Sequence, residues 1–192
     1  MTRRKIALTG GIACGKSLLS LYLKELGFEI LDADDIAHSL VTPAERARLA
    51  KTVFRDPAAR RELEARLHPA IRRRIADWFA EEAEDPETPA DPETPENPVP
   101  GAVRRIAAIP LLFEVHWEKD FDTILCVVSS REKQIERMTA KRGYSREEAE
   151  ARLSAQMDAE EKASRSHYAI RNDGTPDELK AEAEKLARWL AR

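Results

Sequence analysis

The sequence predicts an α/β fold, a three-layer α/β/α domain around a five-stranded parallel sheet. Three observations carry this prediction. Short apolar runs suited to burial on both faces alternate with amphipathic helical patterns, the alternation that builds parallel crossover units. A glycine-containing turn, Gly10-Gly11-Ile12-Ala13-Cys14-Gly15-Lys16-Ser17, follows the first apolar run and opens the first helical pattern. Carboxylates then stand where later runs end, on the edge at which open α/β sheets bind ligands.

Ile6 to Thr9 is the first strand, and Leu18, Leu19, Tyr22, Leu23 and Leu26 recur at helical spacing behind it. The turn between them satisfies G-x-x-x-x-G-K-[ST], the P-loop motif. Its chemistry needs loop N–H groups around phosphate oxygens, a lysine at the β/γ-phosphates and a hydroxyl on Mg²⁺. A nucleotide therefore falls to Gly11, Ile12, Ala13, Cys14, Gly15, Lys16, Ser17 and Leu18, with Ser17 as the metal ligand. The helix dipole adds partial positive charge at the same point.

Gly27 ends the first helix, and Phe28 to Leu31 is the second strand. Asp32-Ala33-Asp34-Asp35 follows, and a helix begins at Ile36. These aspartates serve either as N-caps or as chemical groups at a strand's C-terminal end. Thr42 to Glu84 reads as helical with a break at Asp56-Pro57. Leu63, Leu67, Ile71, Ile75, Trp78 and Phe79 mark its apolar face. Pro69 is predicted to kink or restart this helix, leaving His68 before the break. On its own His68 reads as a helix-end hydrogen bonder before it reads as a catalytic group.

Residues 85–101 contain Asp-Pro-Glu-Thr-Pro twice and predict a flexible Pro-rich loop. Val103 to Pro110 is the third strand, followed by Leu111-Leu112-Phe113-Glu114. Glu114 is either an acid near the sheet's ligand edge or a helix-start glutamate. Phe121 to Val128 is the clearest strand, with Ser129-Ser130 as turn and N-cap. Arg131 to Glu161 predicts one long charged helix broken at Gly143-Tyr144-Ser145. Its arginines fit a solvated face, or a phosphoryl-transfer lid over residues 131–160. Tyr168 to Arg171 is the last strand, ending at Asn172-Asp173-Gly174, and Pro176 to Ala191 is the closing helix.

A chain of 192 residues suffices for a single domain over 1–192, here with a helical lobe at 36–84. The net charge of −3 leaves no electrostatic footprint for nucleic acid or a membrane surface. Two cysteines, Cys14 and Cys126, fit unpaired thiols in a reducing compartment. No apolar run reaches signal-peptide or membrane-span length, so a soluble, cytoplasmic protein is expected. No Asn-Lys-x-Asp guanine motif is present, and a strand-end aspartate is the natural general base for a small-molecule kinase.

The motifs together resemble the dephospho-coenzyme A kinases. They are Ala7 to Ser17 (ALTGGIxxGKS), Asp32 to Ala37 (DADxIA), Leu67 to Ile71 (LHPxI) and Ile109 to Glu114 (IPLLFE). Gln134 to Arg142 (QxxRxxxxR), Ser145 to Gln156 and Asn172 to Gly174 follow in family order. The resemblance implies ATP and Mg²⁺ at the loop and dephospho-CoA as acceptor, phosphorylated on its ribose 3′-hydroxyl, by a protein expected to be a monomer. It implies Asp34 as the base with Asp32 near metal or acceptor, although the two carboxylates remain exchangeable in that role. It makes Arg142 the lid arginine on the phosphates with Arg137 behind it. Asn172 would belong to the nucleotide side, with the loop after it near the adenine, and His68, Leu112 and Glu114 would belong to the acceptor side. Alternatives are a related P-loop kinase with another hydroxyl or nucleotide acceptor, and an inactive nucleotide-binding homologue.

Two departures from the family pattern stand out. Ala13 replaces a usual loop glycine, which is costly if that position needs φ > 0, and Cys14 replaces a small polar residue. The stretch His38 to Lys51 is shorter than in family members, where it belongs to the acceptor lobe.

Overall fold

The computed structural model describes residues 4–42, 45, 57–81 and 105–191. The chain divides into two compact units, Met1–Ile30 with Asp85–Arg192, and Leu31–Glu84.

Five strands form the sheet: β1 (Ile6–Gly10), β2 (Glu29–Asp32), β3 (Arg105–Ala108), β4 (Thr123–Val128) and β5 (Tyr168–Arg171). Their order is β2-β3-β1-β4-β5, which sets β1 in the middle. β1 pairs in parallel with β3 and β4, and β4 in parallel with β5. Every residue of β1 and β4 is buried, the signature of parallel strands covered on both faces. The connection leaving β1 sits where the chain order reverses, the place at which such sheets open a ligand crevice.

In the first unit, α1 (Lys16–Glu25) packs against the closing helix (Pro176–Leu190). Leu19 and Leu23 of α1, and Leu179, Ala183, Leu186 and Leu190 of the closing helix, join Ile6, Leu8, Leu125 and Val127 in one core. The second unit contains α2 (Ala33–Ser39) packed on α3 (Pro57–Ala80). Ala33, Ile36, Ile71, Ile75 and Phe79 are buried on these helices, with the Trp78 and Phe79 rings edge to face at 5.0 Å.

The charged stretch after β4 forms three helices, α4 (Arg131–Arg142), α5 (Arg146–Ser154) and α6 (Ala159–Ser164). The break at 143–145 lies as expected: Gly143 ends α4 at φ 68, and Ser145 caps α5 in a reciprocal capping box with Glu148. A second break, at 155–158, was not expected. Asp158 caps α6 by accepting from the Glu160 N–H at 2.9 Å. The closing helix is α7 (Pro176–Leu190), started by a Thr175–Glu178 capping box with proline at its first turn.

Of the two outcomes expected at Pro69, a kink or a restart, the restart is excluded, because α3 runs through it. Ala65, whose carbonyl loses its partner, and Pro69 are both exposed, so water can satisfy the freed oxygen. The Pro-rich loop at 85–101 and most of the shortened stretch 38–51 lie outside the described residues. Among the described residues, no helix is long and apolar enough to cross a membrane.

Candidate active site

The phosphate loop closes β1 and opens α1. Gly10 faces Val127 across the sheet, and a Cβ there would lie 2.6 Å from the Val127 oxygen. Gly15 has φ 97, and a Cβ on it would collide with Asn172 Nδ2. Ala13 adopts φ 58, so this alanine takes the left-handed conformation that glycine fills without strain.

Three successive carbonyls of the loop are held by three side chains. Gln134 Nε2 donates to the Ile12 oxygen at 2.7 Å, Arg137 Nη1 to the Ala13 oxygen at 3.2 Å, and Asn172 Nδ2 to the Cys14 oxygen at 2.8 Å. Arg137 also donates to Ser129 Oγ at 2.9 Å and to the Asn172 carbonyl at 2.7 Å. Ser129 Oγ in turn donates to that carbonyl at 2.6 Å. Gln134, Ser129 and Asn172 are all buried, so these hydrogen bonds are shielded from competition by water. On the other side of the backbone, no described residue accepts from the N–H groups of Gly11, Ile12, Ala13 or Gly15. Unpaired donors in a curved loop are what an anion requires.

The helix beyond reinforces this. The N-terminus of α1 has no side-chain cap and no acidic residue in its first turn. Its dipole is left for a ligand to neutralise. Lys16 is half-buried and Ser17 exposed at this turn, with Leu18 half-buried behind them.

Most arginines of α4 and α5 are engaged by neighbouring side chains. Arg146 forks onto both oxygens of Glu132 at 2.9 Å, holding that carboxyl below its ordinary range, and reaches Glu150 at 3.1 Å. Arg152 lies over the Tyr144 ring at 4.4 Å. Arg142 differs: it is exposed at the end of α4 and has no hydrogen-bond or ion-pair partner among the described residues.

At the end of β3, Leu112 is fully buried. Glu114 pairs with Lys162 at 2.7 Å and accepts from the Met157 N–H at 3.2 Å.

In the second unit, Asp32 is the N-cap of α2, its Oδ1 accepting from the Asp34 N–H at 2.9 Å. Asp34 is exposed in the first turn of the same helix, and His68 is half-buried on α3. Of the two aspartates, Asp32 is thus the one that caps the helix. Ser129 reads from the sequence only as a turn or cap residue, and Gln134 only as a motif position, with no contact to the loop assigned to either. Only the spacing of Gln134 and Arg137, one helical turn apart, pointed to a shared face.

A family model described as dephospho-CoA kinase matches residues 4–47 and 98–178. The dephospho-CoA kinase of Geobacter sulfurreducens is 37% identical over 97% of this chain and 98% of its own. That of Symbiobacterium thermophilum is 36% identical over 98% of this chain and 81% of its own. Among solved structures, TT1252 from Thermus thermophilus superposes with a TM-score of 0.72 at 31% identity, covering 97% of this chain and 98% of that one. A dephospho-CoA kinase from Campylobacter jejuni gives 0.67 at 24% identity, covering 97% and 96%. Shikimate kinase from Acinetobacter baumannii, at 0.58 and 15% identity over 98% and 93%, shares the fold. With phosphate loop, sheet order and relatives in agreement along nearly its whole length, the chain belongs to the dephospho-CoA kinase family.

Proposed function

We propose that the protein transfers the γ-phosphoryl group of ATP to the ribose 3′-hydroxyl of dephospho-CoA, yielding CoA and ADP. The observation that carries the phosphate half is the phosphate loop itself, clamped through three carbonyls and open at its N–H groups. Family membership carries the acceptor.

In this reading the loop amides and Lys16 hold the β- and γ-phosphates, and the helix dipole of α1 favours the charge that gathers there. Arg137 and Asn172 act through the loop by holding its carbonyls. Arg142, exposed and unpartnered among the described residues, closes on the transferring group and excludes water. Asp34 accepts the proton of the acceptor hydroxyl. Asp32 caps α2 and so orients Asp34. Residues 36–84, with His68, form the acceptor lobe, and residues 131–160 the lid. Leu112 and Glu114 shape the wall at the end of β3.

A divalent cation fits the same residues. Ser17 presents a hydroxyl without a described partner, and among the described residues no three His, Cys, Asp or Glu side chains converge on one point. Mg²⁺ suits such a site because it travels with phosphate oxygens and water and takes few protein ligands. When bound, it neutralises charge on the phosphates. We further place the protein in the cytoplasm, as a monomer.

The test is coupled ADP release with dephospho-CoA, beside AMP, CMP and shikimate as competing acceptors. Turnover with dephospho-CoA should dominate, and Asp34→Asn should lower kcat by about 10²–10⁴ with ATP affinity intact. Turnover surviving in Asp34→Asn would move the base to Asp32. Preference for another acceptor would replace dephospho-CoA as substrate.

A further inference from the structure

Among the described residues, Lys162 is the one charged side chain that is fully buried. It lies on α6, just past the lid, where that helix packs on β1 and β4. Its Nζ donates to the Pro110 carbonyl at 2.8 Å and pairs with Glu114 Oε1 at 2.7 Å. Thr9 Oγ1, immediately before the phosphate loop, donates to the same Pro110 carbonyl at 3.3 Å. Glu114 Oε1 also accepts from the Met157 N–H at 3.2 Å. A continuous path of polar contacts therefore leads from the root of the phosphate loop to Met157.

Met157 stands at a particular point of the backbone. The N–H groups of Ala155 and Gln156 still bond back into α5, to the carbonyls of Arg152 and Leu153, and Asp158 already caps α6. Met157 is thus where the chain leaves the lid helix, and its N–H is held by a side chain from another element. The opposite end of the lid is fastened to the loop by Gln134 and Arg137. A buried ammonium is unfavourable unless paired, and an apolar pair of similar volume would fill the space as well. Glu114 Oε2 is also buried and has no hydrogen-bond partner among the described residues. The fold alone does not call for this arrangement.

We infer that Glu114 and Lys162 are positioning residues of the reaction: they fix the return hinge of the lid at Met157, so that Arg142 is delivered to the phosphates in register with the loop. The inference rests on the proposed lid role of Arg142.

Kinetics and amide exchange on the full-length protein test it. Lys162→Met and Glu114→Gln should each lower kcat about tenfold or more, with KM for ATP changed less than about threefold. Arg142→Ala should cost much less in the Lys162→Met background than in the native protein, because the hinge already misplaces it. The Met157 amide should exchange about tenfold faster while those of β1 and β4 stay protected. Equal cost of Arg142→Ala in both backgrounds, or unchanged protection at Met157, would overturn the hinge and leave the lid standing. If a single variant does not fold, the neutral pair Glu114→Gln with Lys162→Met replaces it. Full kcat in that pair would overturn the inference, and lowered kcat with β1 and β4 protected would support it. An Arg142→Ala variant with native kcat would remove the lid reading and the hinge with it.

Discussion

Asn172 reaches across 158 residues of sequence to donate to the Cys14 carbonyl at 2.8 Å, and the same amide fills the space that a Cβ on Gly15 would need. One side chain thus both shapes the phosphate loop and dictates a residue within it. Asn172→Ala removes the close donor to the Cys14 oxygen, and the Ser129 hydroxyl, 3.4 Å away, is already engaged with the carbonyl of residue 172 at 2.6 Å. The substitution should destabilise the protein by about 1–2 kcal/mol in urea titrations. ATP affinity, read by calorimetry, should fall about tenfold as the loop loosens. Gly15→Ala combines the collision with a left-handed backbone and should cost about 3 kcal/mol or more.

Ala13 offers the opposite case. At φ 58 its Cβ is strained, and glycine removes that strain while gaining some freedom in the unfolded chain. The balance favours the folded state, so Ala13→Gly should stabilise the protein by about 0.5–1 kcal/mol. A rise of roughly 2 °C in Tm by scanning calorimetry would show it, and a fall would mean the loop relaxes differently.

Both thiols should be inert in the folded protein. Burial pushes Cys14 up from its ordinary value, against smaller opposing contributions from hydrogen bonds and nearby cations. Burial, together with the neighbouring Cys14, pushes Cys126 up to about 12. A thiolate is the reactive form, so an aromatic disulfide reagent at about pH 8 should label neither cysteine until the chain is unfolded, when both react.

Asp173 should contribute to acid sensitivity. Desolvation pushes its carboxyl up, but the hydrogen bond from the Ser130 N–H at 2.7 Å and the charge of Arg171 outweigh it, leaving it below the ordinary 3.8. A carboxyl lowered on folding stabilises above its unfolded value and loses that contribution as pH falls through its folded value. The stability gap between native protein and Asp173→Asn should therefore be full near neutral pH and close as pH falls below about 4 in denaturation experiments.

Much of this molecule could be read from its sequence because the decisive signals are local. β1, the phosphate loop and α1 are contiguous, and the alternation of apolar runs sufficed for the sheet. The second break after β4 is not legible because helix-favouring residues continue through 155–158, and only the Asp158 cap interrupts them. The loop's supports were out of reach for a different reason. Gln134 and Ile12 are 122 residues apart and Arg137 and Ala13 are 124, so their pairing is a product of the folded sheet and α4. Which aspartate caps α2 is equally invisible in the sequence, because either satisfies the cap pattern until the backbone selects Asp32. At Pro69 the sequence does not separate a restart from a continuous helix, because a steric rule about helices says nothing of which face meets water.

The clamp on the Ile12, Ala13 and Cys14 carbonyls has a thermodynamic consequence. A loop already fastened from behind loses little conformational freedom when phosphates arrive, so the usual entropic penalty of ordering is largely absent. Nucleotide association at this loop should then carry a small heat-capacity change, with its enthalpy nearly flat across temperature. Loosening the clamp would convert it into coupled folding and binding, and the slope of enthalpy against temperature would steepen long before affinity vanished.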